Sequence, residues 1–211
     1  MRIGIIGKGA VGASLGQRLA SVGYCVRFGE RISGEASGLI AGMSGDVGAL
    51  PLRSLAAEVE VLLLAVPASA AVEALHAAGP LAGKVVIDCI NPVGHDDGGL
   101  FVSQLPEGSM SAHLSSSFPS ARIVKAFNTF GAESMGPGAL RGARVDVHLA
   151  TDDEDARAQV AAICETAGFS VVHCGSLRNA ALLEHMGVLW IQLAVFGGNG
   201  RDVAFKLSAT R

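Results

Sequence analysis

The stretch Arg2-Ile3-Gly4-Ile5-Ile6-Gly7-Lys8-Gly9-Ala10-Val11-Gly12, with Ala13–Phe28 behind it, decides the fold. Arg2–Ile6 is an apolar run that reads as a strand. Gly7–Gly12 is a G-x-G-x-x-G turn, and Leu15, Leu19 and Val22 follow it at helical spacing until Gly23 closes the helix. Tyr24–Phe28 reads as a second strand. Strand, glycine turn, helix and strand within about 30 residues form the context that a dinucleotide-binding fingerprint requires.

The alternation continues outward from this unit. Val59–Val66, Lys84–Ile90, Arg122–Phe127, Ala143–Ala150 and Phe169–His173 read as strands. Ala68–Ala78 reads as a helix, and Thr151-Asp152-Asp153-Glu154 opens another that runs to Thr166. Thr151 and Glu154 are spaced as a capping box, which accounts for the acidic cluster without a metal. The pattern predicts an α/β, Rossmann-type doubly wound, mostly parallel sheet with a short C-terminal helical segment. The expected division is a dinucleotide-binding domain over 1–177 and a helical segment over 178–211. Asn91–Ser120, rich in Gly, Ser and His, reads as a long loop of the kind that forms lids. Leu182–Phe196 reads as a helix apolar almost all round, which more than one neighbour must cover.

Composition narrows the function classes. The chain has 211 residues, 50% hydrophobic and 17% charged, against roughly 25% charged in an average soluble domain. Disorder is excluded for most of it. A net charge of −3 and ten aromatic residues argue against a nucleic-acid partner. Cys25, Cys89, Cys164 and Cys174 show no zinc spacing and read as small buried hydrophobes, so no metal site is expected. The start lacks a signal-peptide core, and the uncharged apolar stretches Val61–Val72 and Gly187–Gly198 fall short of the ~20 residues that cross a bilayer. These features point to a cytoplasmic protein with no membrane partner.

In the fingerprint, Gly7 permits the tight turn, Gly9 lets the backbone approach a pyrophosphate, and Gly12 packs helix on sheet. Glu30, at the end of the second strand, can accept ribose hydroxyls of NAD(H), whereas Arg31 would pair with the 2′-phosphate of NADP(H). Removal of the Glu30 charge is therefore expected to improve NADPH binding, and loss of Arg31 to weaken it. Val66-Pro67, Asn91-Pro92 and Asn128-Thr129 each lie where a strand ends, the side on which open α/β sheets bind ligands. They point at the nicotinamide half of the pocket. His113, His185 and Lys125 are candidate acid–base helpers, and none is assigned a catalytic role.

The ordered set Gly7–Gly12, Val66-Pro67, Asn91-Pro92, Lys125-Ala126-Phe127-Asn128-Thr129, Gly175–Asn179 and Gly200–Leu207 resembles the NADPH:coenzyme F-420 (F420) oxidoreductase-like family. The cytosolic domains of STEAP metalloreductases are similar. The resemblance implies hydride transfer between NADP(H) and a deazaflavin or flavin-like acceptor, with the pyrophosphate on Lys8, Gly9, Ala10 and Val11. The family holds the 2′-phosphate with a Ser-Arg pair. Here Arg31 matches and Glu30 departs. Hydride passes directly between stacked rings, so the protein supplies orientation and exclusion of water.

Two other readings stay open. A β-hydroxyacid or imine dehydrogenase shares the opening fingerprint, but its fold uses a large helical second domain with a catalytic Lys, and 34 residues follow Leu177. A non-catalytic NAD(P)-binding sensor or partner module needs no catalytic side chain. The apolar C-terminal helix predicts a homodimer with Leu189, Trp190 and Leu193 near its interface.

Overall fold

A computed structural model describes residues 1–139 and 144–208. The strands are β1 (Arg2–Ile6), β2 (Cys25–Glu30), β3 (Val47–Pro51), β4 (Val61–Leu64), β5 (Val85–Asp88), β6 (Val93–Asp96), β7 (Gly99–Val102), β8 (Arg122–Lys125), β9 (Asp146–Leu149) and β10 (Ser170–His173). The α-helices are α1 (Ala10–Ser21), α2 (Ser37–Ile40), α3 (Leu52–Glu58), α4 (Ala71–Ala77), α5 (Met110–Ser117), α6 (Glu154–Thr166) and α7 (Ala180–Ile191). Ala143, the first residue of one expected strand, lies outside the described residues.

Six parallel strands form the main sheet in the order β3-β2-β1-β4-β5-β8. β9 and β10 pair in parallel beside it, joined to the end of β8 through an antiparallel bridge between Lys125 and Ala150. The order reverses between β1 and β4, which makes that point the crevice where a doubly wound sheet takes its ligand. Because side chains alternate along a strand, each strand feeds two cores. Ile3, Ile5, Val26 and Phe28 pack against Leu15 and Leu19 of α1 and Val160 and Ile163 of α6. Ile6, Leu62, Leu64 and Val86 pack against α3, α4 and α5 on the opposite face.

Four expectations need correction. The loop expected over Asn91–Ser120 holds the hairpin β6–β7 and the helix α5. Helix α6 is capped by Asp153, whose carboxylate accepts the Ala156 N–H at 2.8 Å and grips Arg122 in a two-point ion pair. Thr151 instead donates its hydroxyl to the Ile123 carbonyl, tying β9 to β8. The helical run Leu177–Phe196 spans 20 residues with a mean hydropathy of 1.3, so by length and composition it does reach the size of a membrane span. A third of it is buried in the body, pinned by Glu184, Leu183 and Trp190. Trp190, finally, is not on an open face. It covers Gly131, and its indole N–H donates to the Val203 carbonyl at 2.7 Å.

Candidate functional site

The glycine turn separates into structural and open positions. Gly7 has φ +118°, and a Cβ there would stand 2.2 Å from the Ala65 carbonyl oxygen at the end of β4. A Cβ on Gly12 would stand 2.1 Å from the Gly7 oxygen, so α1 rests directly on the turn. Gly9 has an ordinary negative φ, and a Cβ on it would meet no protein atom within 4 Å. Its missing side chain leaves room that the protein itself does not use. The helix it opens has no side-chain cap and no acidic residue in its first turn, whereas α5 and α6 are capped by Ser109 and Asp153. An uncapped N-terminus presents free N–H groups and a partial positive charge to an anion. Ala10 and Val11 supply that first turn.

A cavity of about 420 Å3 opens over this turn, lined by Gly7, Lys8, Gly9, Arg31, Val66 and Pro67 among others. Arg31 faces it. Glu30 does not line it, because its carboxylate turns back into the following loop and accepts the N–H groups of Gly34 at 3.0 Å and Ala36 at 3.2 Å. Glu35, which the sequence did not single out, lines the cavity and pairs with Lys8.

A second cleft of about 780 Å3 adjoins the first. Pro67 belongs to both. Ser69, Asn91, Pro92, Met110 and His113 help to wall it, and no Lys or Arg among the described residues does. His113 pairs with Glu107 at 2.9 Å at its edge. Asn91 is fixed from behind. Its Nδ2 donates to the Asn128 carbonyl at 2.7 Å, and Asn128 Nδ2 donates to Asn91 Oδ1 and to the Leu183 carbonyl, each at 2.8 Å. Phe127 holds a left-handed φ of +62°, unusual for a bulky residue, immediately before Asn128. Gly187 of α7 lets the helix approach, since a Cβ there would stand 2.5 Å from Asn91 Oδ1. Asn128 and Thr129 are buried behind the clefts, and Thr129 Oγ1 lies 3.2 Å from Nδ1 of His148, whose pKa burial pushes below the ordinary histidine value.

Residues 2–92 match the NADP oxidoreductase coenzyme F420-dependent family. That match takes in 91 of the 211 residues, the glycine turn, Pro67 and Asn91 among them. Over 184 residues it is 28% identical to the metalloreductase STEAP3 of Rattus norvegicus, covering 87% of this chain and 36% of that protein. It therefore spans about a third of the length of the curated relatives it matches. Its fold superposes with a TM-score of 0.86 on a candidate F420-dependent NADP-reductase of Arthrobacter sp. FB24, at 27% identity, covering 98% of this chain and 99% of the other. A reductive aminase of Aspergillus terreus, solved with NADPH, aligns with a TM-score of 0.67 at 20% identity over 93% of this chain and 63% of that one, a likeness of fold.

One buried cluster escaped sequence reading. Lys125, fully buried, donates from Nζ to Asp88 Oδ2 at 3.0 Å, to Glu184 Oε1 at 2.9 Å and to the Ile90 carbonyl. Asp88 also accepts the Ser111 hydroxyl, and Glu184 the Met110 N–H. Burial pushes the Glu184 carboxyl up while Lys125 pulls it back, and its second oxygen has no partner among the described residues. Lys125 thus joins β5, β8, α5 and α7 and has no access to either cleft. His185 lies on the exposed side of α7, against its own helix carbonyl at Ala181.

Proposed function

We propose that the chain is an NADP(H)-dependent oxidoreductase passing hydride to a planar flavin-like or deazaflavin acceptor, coenzyme F420 included, or to a small organic substrate. NAD(H) is the second nucleotide it accepts. The observation that carries this reading is the junction of the two clefts at Pro67, beside a glycine turn whose Gly9 faces open space.

The residues present suit a dinucleotide. Gly9, Ala10, Val11 and the uncapped end of α1 would hold its pyrophosphate, and Lys8 and Arg31 its phosphorylated ribose. Val66 and Pro67 would wall the nicotinamide end. The bound dinucleotide supplies the hydride. Asn91 and Pro92 orient the acceptor from the second cleft, and Asn128 acts as a positioning residue by fixing Asn91. The absence of Lys and Arg from the described wall favours an acceptor whose reacting ring is uncharged. Loss of nicotinamide absorbance with a panel of flavins, deazaflavins, imines and hydroxyacid-type carbonyls tests this. Turnover with a flavin or deazaflavin is expected. Binding without turnover on any acceptor would favour a nucleotide-binding module, and turnover confined to imines or carbonyls would favour the dehydrogenase reading.

The reading extends to assembly and setting. Small molecules are its ligands, in a reducing cytoplasm consistent with four free cysteines. Leu182, Leu189, Leu193, Val195 and Phe196 are five of the eleven exposed large apolar residues of the described chain, all on one helical segment. Such a concentration favours a second copy of the chain as its cover. Light scattering is expected to give twice the monomer mass, and Leu189→Glu with Leu193→Glu to halve it. A monomeric wild type at micromolar concentration contradicts the dimer.

A further inference from the structure

The nucleotide cavity contains an anion of its own. Glu35 Oε1 lies 2.5 Å from Lys8 Nζ, and Oε2 accepts the main-chain N–H groups of Arg31 at 3.2 Å and Ile32 at 3.4 Å. The carboxylate is therefore gripped by one ammonium and two successive backbone amides at the turn after β2. Successive amides with a cation form a concavity suited to a phosphate monoester, which carries more charge and more acceptor oxygens than a carboxylate. That turn, next to the glycine loop, is where a Rossmann fold meets the 2′ position of the adenine ribose. The Arg31 guanidinium forms no ion pair or hydrogen bond with the described residues, so it stands ready beside the same spot. The other acidic candidate is committed elsewhere, because Glu30 satisfies Gly34 and Ala36.

We propose that Glu35 is the specificity-determining residue of the nucleotide site: its carboxylate occupies the 2′-phosphate subsite and competes with that phosphate for Lys8 and the amides of Arg31 and Ile32. This rests on the nucleotide-binding reading above. The 2′-phosphate of NADPH must displace Glu35 to gain its donors. NADH can leave the pair intact, its 2′-hydroxyl donating to the carboxylate. The Lys8 ammonium holds the Glu35 carboxyl below the usual carboxylate range, so the competitor stays charged at neutral pH. The residue that discriminates is thus five positions beyond the acidic residue at the strand end, on the loop.

The test is titration of the full chain with NADPH and NADH, for wild type, Glu35→Gln and Glu35→Asp. Glu35→Gln removes the charge, and the NADPH-over-NADH affinity ratio is expected to rise about tenfold, the size of one charge-assisted contact. Glu35→Asp has a shorter reach, cannot span Lys8 and both amides together, and is expected to move the ratio the same way by a smaller factor. It decides the matter if Glu35→Gln fails to fold. An unchanged ratio in the folded variants, with wild type binding both nucleotides, overturns the role of Glu35 and leaves the nucleotide reading standing. Binding of neither nucleotide by folded wild type overturns that reading, and the role of Glu35 with it.

Discussion

Replacing Gly9 with valine is expected to raise the Kd for NADPH about a hundredfold or more while leaving the protein folded. The reason is positional. Gly9 has a φ that any residue adopts, and its Cβ would meet no protein atom, so only a ligand lying on the turn would feel the isopropyl group. The fold pays at most the difference between Gly and Val at a helix N-cap, roughly 1 kcal/mol, which lowers Tm by about 2–4 °C in a chain of this size. Gly7→Ala and Gly12→Ala are the opposite case. Their methyl groups would stand 2.2 Å and 2.1 Å from backbone oxygens, so both variants are expected to lose the fold before they report on the ligand. Fluorescence titration with NADPH, alongside thermal unfolding, separates the two. A folded Gly9→Val protein that keeps wild-type affinity would show that the turn does not carry the pyrophosphate.

The second large effect is on stability. Lys125→Met removes the cation from a cluster in which Asp88, Lys125 and Glu184 are all fully buried. Two carboxylates would then face each other without compensation, and the Ile90 carbonyl would lose its donor. Removing one partner of a buried ion pair costs about 3–5 kcal/mol, which in a domain of this length is a Tm loss of roughly 10 °C or more. Adding Glu184→Gln to Lys125→Met is expected to recover part of it, because one buried charge is relieved. Calorimetry on the single and double variants measures the coupling. A Tm within about 2 °C of wild type for Lys125→Met would mean the cluster does not hold α7 to the sheet.

Much of this architecture was legible because it rests on local patterns. The β1–turn–α1–β2 unit has its strand alternation, glycines and helical spacing in one run. What escaped reading depends on partners distant in sequence. Val47–Pro51 contains Gly48 and ends in Pro51, a poor strand by composition, and it pairs because β2 offers it a parallel edge. Helix α5 is rich in serine, and is held by the Ser109 cap and by Glu184, 74 residues beyond Met110. The capping box at Thr151 had the right spacing, yet Thr151 found a better acceptor on β8 and left the cap to Asp153. Trp190 read as surface because its cover, the chain around Val203, carries no periodic signal.

The site was legible to the same extent. Gly7, Lys8, Gly9, Arg31, Val66 and Pro67 come together around one cavity, and Asn91 and Pro92 around the next. Glu30 could not be distinguished from Glu35 by spacing alone, since the loop conformation decides which carboxylate faces the cavity. Lys125 carried the marks of an acid–base residue in a distinctive motif. Only the buried carboxylates 37 residues before it and 59 after it show it to be a structural ion.

Crystallisation with NADP+ tests the central claim most directly. The pyrophosphate is expected on Gly9, Ala10 and Val11, and the nicotinamide at Pro67 with one face open to the cleft walled by Asn91, Met110 and His113. A dinucleotide bound away from the glycine turn, or a nicotinamide pointing away from that cleft, would contradict it.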